Sequence, residues 1–238
     1  EAETEAAIRA HAKSLFPAVA IERVWQELQK MRAYPRFDVA LSELQRLGLL
    51  PVIFPELEAL SVDHVRQLTA GFGEMPDKAG TILFILQLFP DLLPEETESL
   101  CRYLKVSNRD IRLAQLYREL QQAQQRSTME LADWARIYAE EGAWVCIESL
   151  ASAVPLGQRE AVLDAHRERS RALEPHWRRI REKTPLLCAQ DLIDLGIPRG
   201  PRLGALLKEA ERLSVNQNHS SKEGVLKSLQ DSLLWKGC

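Results

Sequence analysis

Apolar residues at helical spacing are the feature that most limits how this sequence can fold. One such stripe consists of Ile21, Val24, Trp25, Leu28 and Met31. Similar i, i+3, i+4 spacing recurs in residues 39–47 and 111–120. Alternating β-branched runs, which would indicate half-buried strands, do not occur. The sequence therefore predicts an all-α chain, an irregular array of about a dozen short helices joined by loops of a few residues.

Several helix starts are marked by residues that satisfy backbone amides. Ser107 in "SNRD" and Ser127 in "STME" each stand three residues before an acid, which is the spacing of a capping box. Pro94 in "LPEETESL" suits the first turn of a helix, and the glutamates after it favour the positive end of the helix dipole. These signals predict helices that begin near Pro94, Ser107 and Ser127.

The composition excludes some classes of function. Apolar residues make up 45% of the chain and charged residues 27%, which is ordinary for a globular protein and unlike a disordered one. Because the formal net charge is −3, nucleic-acid binding would need a local basic patch. The longest apolar run, "TILFILQLF", is about half as long as a membrane-spanning helix requires. We therefore expect no membrane partner.

Motifs for catalysis or metal binding are missing from the sequence. It contains no GxxxxGK[ST], GxGxxG, HExxH or GxSxG pattern. The cysteines form no CxxC pair, which predicts free thiols in a reducing cytoplasm and no zinc site. Asp63 and His64 stand in the reverse of the order that a metal phosphohydrolase needs, so we interpret His64 as a partly exposed helix residue. A degenerate phosphohydrolase stays as a third alternative, and we predict no catalytic residue and no metal ligand.

Proline and glycine punctuation divides the chain into three segments. Residues 1–58 end in "GLLPVIFPEL", where Pro51 and Pro55 are expected to break the helix. A helical middle segment follows over residues 61–155, and a long charged helix opens the segment 157–238. These three segments are the predicted domains.

The last segment begins with a strongly basic stretch, in which Pro175 is expected to kink or interrupt the helix. Seven basic residues and three acidic ones give residues 166–183 a local net charge of +4. We predict stacking of the Trp177 indole on a base or ribose. The predicted phosphate contacts are Arg167, Arg171, Arg178, Arg179 and Arg181. A solvated helix whose tryptophan faces the core remains the alternative.

A turn rich in glycine and proline lies between two helical patterns in "DLIDLGIPRGPRLGALLKEAERL", Asp191 to Leu213. Gly196 is placed to end the first helix in a left-handed cap. Pro201 suits the first turn of the second helix, and Gly200 before it frees the backbone. The pattern predicts a helix–turn–helix-like hairpin.

This hairpin has the residues of a phosphate clamp. Gly204, one turn into the second helix, has no side chain to keep a phosphate or another backbone away. The helix start offers free amides and a positive dipole end, with Arg199 and Arg202 beside them. We predict that Arg199, Gly200, Arg202 and Gly204 bind RNA, and a plain interhelical turn is the alternative.

Two stretches resemble the class II nucleotidyltransferase family, the bacterial CCA-adding enzymes and their poly(A) polymerase relatives. In residues 21–60 the family's elements stand as Glu22-Arg23, Glu27-Leu28, Lys30, Gly48-Leu49-Leu50 and Pro55-Glu56-Leu57. The hairpin is similar to a second family pattern through Asp191-Leu192-Ile193, Leu195-Gly196-Ile197, Gly200-Pro201, Gly204 and Leu206-Leu207. The two matches stand in the family's order along the chain.

By this resemblance, residues 1–58 are the neck, 61–155 the body and 157–238 the tail of such an enzyme without its catalytic head. The family's head carries a GGxxRD segment and a DxD pair that holds magnesium for nucleotide transfer, and neither motif occurs here. The resemblance therefore implies no cofactor in this chain, and Mg²⁺ with ATP or CTP for the parent enzyme.

The resemblance also implies an RNA partner in the cytoplasm. The chain would hold the 3′ end of a tRNA or another RNA by shape and phosphate contacts, while the head of the same parent chain adds nucleotides. The neck residues Glu22, Arg23, Glu27 and Lys30 would contact that head. A helical protein-interaction scaffold with no RNA role is the alternative.

Overall fold

The computed structural model describes residues 2–125 and 129–236 of the chain. Within these residues the regular structure is α-helix and short 3₁₀-helix, with no strand, which confirms the all-α prediction. The chain forms two compact units, one of Glu1–Gln122 with Trp144–Leu163 and one of Ala123–Ala143 with Asp164–Cys238. These units have other boundaries than the segments 1–58, 61–155 and 157–238 and do not test them. The division into three segments stays a prediction.

The helices are short and follow one another closely. In chain order they are α1 (Ala2–His11), α2 (Leu15–Ala18), α3 (Ile21–Arg32), α4 (Phe37–Arg46), α5 (Leu50–Ile53), α6 (Val62–Leu68), α7 (Thr81–Gln87), α8 (Pro94–Tyr103), α9 (Asn108–Gln125), α10 (Leu131–Ala139), α11 (Ala143–Ser152), α12 (Leu156–Ala172), α13 (Glu174–Glu182), α14 (Ala189–Asp194), α15 (Pro201–Asn216), α16 (Lys222–Asp231) and α17 (Leu233–Lys236). Short 3₁₀-helices cover Ala12–Ser14, Pro55–Leu57 and Phe72–Glu74. The described helices outnumber the expected dozen because several, such as α2, α5 and α17, are single turns.

The helix starts predicted at Pro94 and Ser107 are confirmed, whereas Pro51, expected to break a helix, stands in the first turn of α5, where proline is tolerated. Ser107 Oγ accepts the Asp110 amide at 3.2 Å before α9 begins, and Pro94 stands in the first turn of α8. Pro175 lies in the first turn of α13, so the long basic helix is interrupted there. The start predicted at Ser127 lies outside the described residues.

Aromatic rings form the centre of the first unit. The ring centroids of Phe37 on α4 and Phe84 on α7 are 5.9 Å apart, and those of Phe72 and Phe84 are 4.9 Å apart. Edge-to-face pairs of this kind add to the stabilisation from buried apolar area. Helix α7 is buried from Ile82 to Gln87, which makes it a core helix of this unit.

The apolar stripes predicted in the first unit are buried only in part. On α3, Val24, Trp25 and Leu28 are buried, whereas Met31 at the end of the stripe is 36% exposed. On α4 the buried face is centred on Leu41, and Val39 is 40% exposed. Helical spacing therefore located the inner face but not how far along each helix it extends.

The helices α14 to α17 of the second unit enclose a hydrophobic core of their own. Its buried residues are Leu187, Leu192, Ile197, Leu203, Leu206, Ala210, Leu213, Val225 and Leu229. Helix α10 packs against α13 and α15 in the same unit. None of the described helices is long and apolar enough to cross a membrane.

Candidate nucleic-acid interface

The hairpin between α14 and α15 has a regular backbone geometry. Gly196 has a φ of 88°, and its amide donates to the Ile193 carbonyl at 2.9 Å. The Ile197 amide donates to the Leu192 carbonyl at 3.0 Å. These two bonds form a Schellman motif, and Ile197 and Leu192 are buried in the same core, which is its usual hydrophobic contact. The left-handed cap predicted at Gly196 is confirmed.

The second helix of the hairpin begins as its sequence predicts. Gly200 precedes it with a φ of 153° and a ψ of −171°, a conformation that favours glycine, and Pro201 stands in the first turn. No side chain caps this helix start, so its first amides stay free to bind an acceptor. A Cβ atom added at Gly204 would meet no atom within 4 Å, and the residue is exposed. The start of α15 is therefore open to a ligand.

Charges around the hairpin favour an anion. Arg199 and Arg202 are exposed, and neither has a hydrogen-bond or ion-pair partner among the described residues. The nearby carboxylate of Asp191 pairs with Lys222 and accepts the Cys188 amide at 2.7 Å. These contacts lower the pKa of Asp191 to about 2, so the carboxylate stays ionised and paired. Among the described residues, Arg199 and Arg202 are thus unpaired cations at the turn, where the exposed Asp194 carboxylate accepts from Gln190 Nε2 at 2.7 Å.

The basic stretch on α12 and α13 divides between exposed and packed arginines. Arg167 pairs with Asp164 at 2.7 Å, and Arg178 pairs with Glu174, both on exposed helix faces. Arg171 is exposed and has no partner among the residues that the structure describes. These three side chains can reach solvent, and their phosphate contacts stay a prediction.

Two of the predicted phosphate-binding arginines pack within the second unit. The Arg179 side chain is 17% exposed and donates to Ser214 Oγ at 3.2 Å. Arg181 donates to the carbonyl oxygens of Tyr138 at 2.7 Å and Ala139 at 3.1 Å, at the end of α10. These bonds join α13 to α15 and to α10, so both guanidiniums already act as helix-packing donors.

The Trp177 side chain is held in place from two directions. It is half-buried, and its Nε1 donates to the Ser170 carbonyl at 2.9 Å. The Arg181 guanidinium lies 4.5 Å from the Trp177 ring centroid, in cation–π contact with one face. Stacking on a base stays a prediction, and the arginine already occupies one face of the indole.

The predicted head-contact residues lie on the outer face of α3. Glu22 pairs with Lys105, which lowers the pKa of the Glu22 carboxyl, and Glu27 pairs with Lys30 at 2.7 Å. Arg23 is exposed and unpaired among the described residues. These pairs are at the surface, where they add little to stability, so the face is available to another module.

Some close contacts of basic residues had no clear signal in the sequence. Arg169, counted in the basic stretch, lies with its guanidinium 4.2 Å from the Trp134 ring centroid. Arg118 of α9 is buried, although arginine is rarely buried without a charged partner. Glu119 follows Arg118 directly and Gln121 and Gln122 lie one turn further on, so no local pattern indicated its burial.

His64 and the cysteines are the remaining candidates for metal or thiol chemistry. Over residues 2–125 and 129–236, no group of three or more His, Cys, Asp or Glu side chains could hold a metal ion. His64 is exposed on α6, whose start is capped by Ser61. Cys101, Cys146 and Cys188 are free thiols, of which Cys188 is exposed.

Comparison with known families finds a match in the first 60 residues. Residues 1–60 match the family model described as "Probable RNA and SrmB- binding site of polymerase A". A shorter stretch of 39 residues is 56% identical to the multifunctional CCA protein of Vibrio parahaemolyticus serotype O3:K6. That stretch is 16% of this chain and 10% of the Vibrio protein. The two matches support the polymerase A and CCA-adding family, and the hairpin lies outside the family match.

Proposed function

We propose that this chain is an RNA-binding part of a tRNA nucleotidyltransferase or poly(A) polymerase, which holds the 3′ end of a tRNA or another RNA. RNA as the partner is supported by the match of residues 1–60 to an RNA-binding site of polymerase A. The tail's part in that role rests on the α14–α15 hairpin, where no side chain caps the start of α15 and Arg199 and Arg202 are exposed and unpaired among the described residues. Such a site contacts phosphates rather than base edges, so it positions RNA without reading its sequence.

Nucleotide addition belongs, in this proposal, to a catalytic head on the same parent chain in the cytoplasm. The described residues include no group of three or more His, Cys, Asp or Glu side chains that could hold a metal ion. In this proposal Mg²⁺ and ATP or CTP bind the head. The residues of this chain would hold and orient the RNA, and Glu22, Arg23, Glu27 and Lys30 would face the head.

The test is an RNA-binding titration of the whole chain with tRNA. Binding should weaken steeply between about 50 and 200 mM salt, because phosphate contacts release counterions. The double variant Arg199→Ala, Arg202→Ala should bind more weakly and lower the log–log salt slope by about 2. Its melting temperature should not change, since both side chains are exposed and unpaired among the described residues.

The matched control is the double variant Lys208→Ala, Lys227→Ala. It removes the same charge from exposed positions on α15 and α16, away from the hairpin turn. If both double variants bind tRNA equally well, the turn is only an interhelical connection.

A protein-docking scaffold is the second candidate, because the matched description names SrmB as well as RNA. No binding of tRNA at about 50 mM salt, where electrostatic contacts are strong, would favour the scaffold and reject the RNA proposal.

A further inference from the structure

The turn between α3 and α4 carries exposed side chains within the segment that matches an RNA-binding site. All four residues from 33 to 36 are exposed. Tyr34 is 73% exposed, and the Arg36 side chain is also 73% exposed. The Tyr34 hydroxyl has no partner among the described residues. An aromatic ring this open to water loses the stabilisation that burial would bring.

Both ends of this turn are anchored on one aromatic ring. The Arg32 guanidinium lies 4.2 Å from the Phe84 ring centroid, in cation–π contact. Phe37 is 4% exposed, and its ring centroid is 5.9 Å from that of Phe84. Contacts to Phe84 therefore hold both ends of the turn, and Tyr34 between them is exposed.

The backbone of Arg36 is in a conformation that favours glycine. Its φ of 69° and ψ of 41° are left-handed, and as the residue before α4 it makes no side-chain capping bond. Its ion pair with Asp38 spans 3.5 Å and is exposed. Neither the fold nor the cap accounts for an arginine here, and strained residues of this kind cluster at functional sites.

Another exposed cation, Lys78, belongs to the loop that contacts the end of α3. Arg32 Nη2 donates to the Asp77 carbonyl at 3.4 Å, which brings the loop before α7 next to the end of α3. Lys78 in that loop is exposed and has no partner among the residues described. A tyrosine ring flanked by cations is the combination that binds single-stranded nucleic acid.

We propose that Tyr34 and Arg36 form a contact site for single-stranded RNA. Tyr34 stacks on an unpaired base, and Arg36 holds the neighbouring phosphate. A double helix does not fit the site, because its base faces are already stacked on one another. This inference rests on the proposed RNA-binding function. It specifies that the RNA is single-stranded and that Tyr34 and Arg36 bind it.

The first test measures binding of a single-stranded RNA dodecamer to the whole chain by fluorescence anisotropy. Tyr34→Ala should lower the affinity by about tenfold, the usual effect of losing one stacked base, while Tyr34→Phe keeps the ring and stays within about twofold. A blunt RNA duplex should bind Tyr34→Ala and the unchanged protein alike. Equal affinity of Tyr34→Ala and the unchanged protein for the dodecamer would overturn the proposal, as would equal losses in Tyr34→Ala and Tyr34→Phe.

The second test uses the strain at Arg36. Arg36→Gly should reduce the log–log salt slope for the dodecamer by about 0.7, one phosphate contact, while Arg36→Lys keeps the slope. The melting temperature of Arg36→Gly should be equal or higher, because glycine relieves the left-handed strain. Arg102→Ala is the control, since Arg102 is 74% exposed in the same unit and lies outside the matched segment. A salt slope unchanged in Arg36→Gly would overturn the phosphate contact.

The two proposals fail in different ways. If the unchanged protein binds tRNA and the dodecamer but both Tyr34 and Arg36 variants bind normally, this site is wrong and the RNA-binding function stands. If the unchanged protein binds neither RNA, both proposals fail.

Discussion

The Tyr138 hydroxyl lies 3.0 Å from Nδ1 of His166 in the interior of the second unit. His166 is 3% exposed, and the Trp134 ring meets it edge-on at 5.5 Å between centroids. Arg169 donates to the same hydroxyl at 3.4 Å. The pKa of His166 is lowered to about 4, first by burial and then by the Arg169 cation. The imidazole is therefore neutral in the folded chain at neutral pH.

We predict that acid destabilises the second unit through His166. His166 binds its proton near pH 6.5 in the unfolded chain and near pH 4 in the folded chain. The free energy of unfolding is therefore unaffected by His166 above pH 6.5 and decreases as the pH drops toward 4. The shift corresponds to about 3 kcal/mol of unfolding free energy. Urea unfolding at several pH values, followed by tryptophan fluorescence, measures it. His166→Gln should flatten this dependence while His64→Gln, at an exposed site, leaves it unchanged; equal profiles for both would contradict the prediction.

We predict a large loss of stability in Arg118→Met. The Arg118 side chain donates to the Phe89 carbonyl at 2.6 Å and to Thr97 Oγ1 at 3.1 Å, and it is 1% exposed. Methionine fills part of the space but leaves those acceptors buried without donors, which should cost about 2 to 4 kcal/mol. Chemical denaturation measures the change. The control is Arg102→Ala, at the surface, whose free energy of unfolding should differ from that of the unchanged protein by less than about 0.5 kcal/mol. An equally small change for Arg118→Met would show that the buried hydrogen bonds of Arg118 do not stabilise the fold.

Two glycines of the hairpin should respond in opposite directions to alanine. Gly196→Ala places a Cβ at a φ of 88° and should destabilise the chain by about 1 kcal/mol. Gly204→Ala lies in the first turns of α15 with open space around it and should stabilise the chain by up to about 1 kcal/mol. The melting temperatures of the two variants test this prediction. A higher melting temperature for Gly196→Ala would show that alanine is not strained at the cap.

Gly204→Ala also separates stability from binding. If a phosphate approaches the start of α15 closely, the added methyl group should weaken tRNA binding at least severalfold although the fold is more stable. Affinity measured by mobility shift gives the answer. Unchanged affinity would mean that the RNA does not come close to this residue.

Local features of this protein were readable from its sequence. The interruption at Pro175, the capping bond at Ser107 and the left-handed cap at Gly196 depend on backbone groups within a few residues. The helical spacing of apolar residues likewise determined the all-α class. Residues 21–60 were also enough to indicate a family relation, which the comparisons support in residues 1–60.

The tertiary structure decided which basic residues remain available. In sequence, Arg171, Arg179 and Arg181 look equivalent, but only the last two find acceptors on α15 and α10, and only Arg179 is partly buried. Their partners stand 35 and 43 residues away in the chain, beyond the reach of any local pattern. The burial of Arg118 and the exposure of Tyr34 likewise depend on residues that are distant in the chain. A side chain's own helix sets its direction, and only the neighbouring helices determine whether water, a carbonyl group or a ring meets it there.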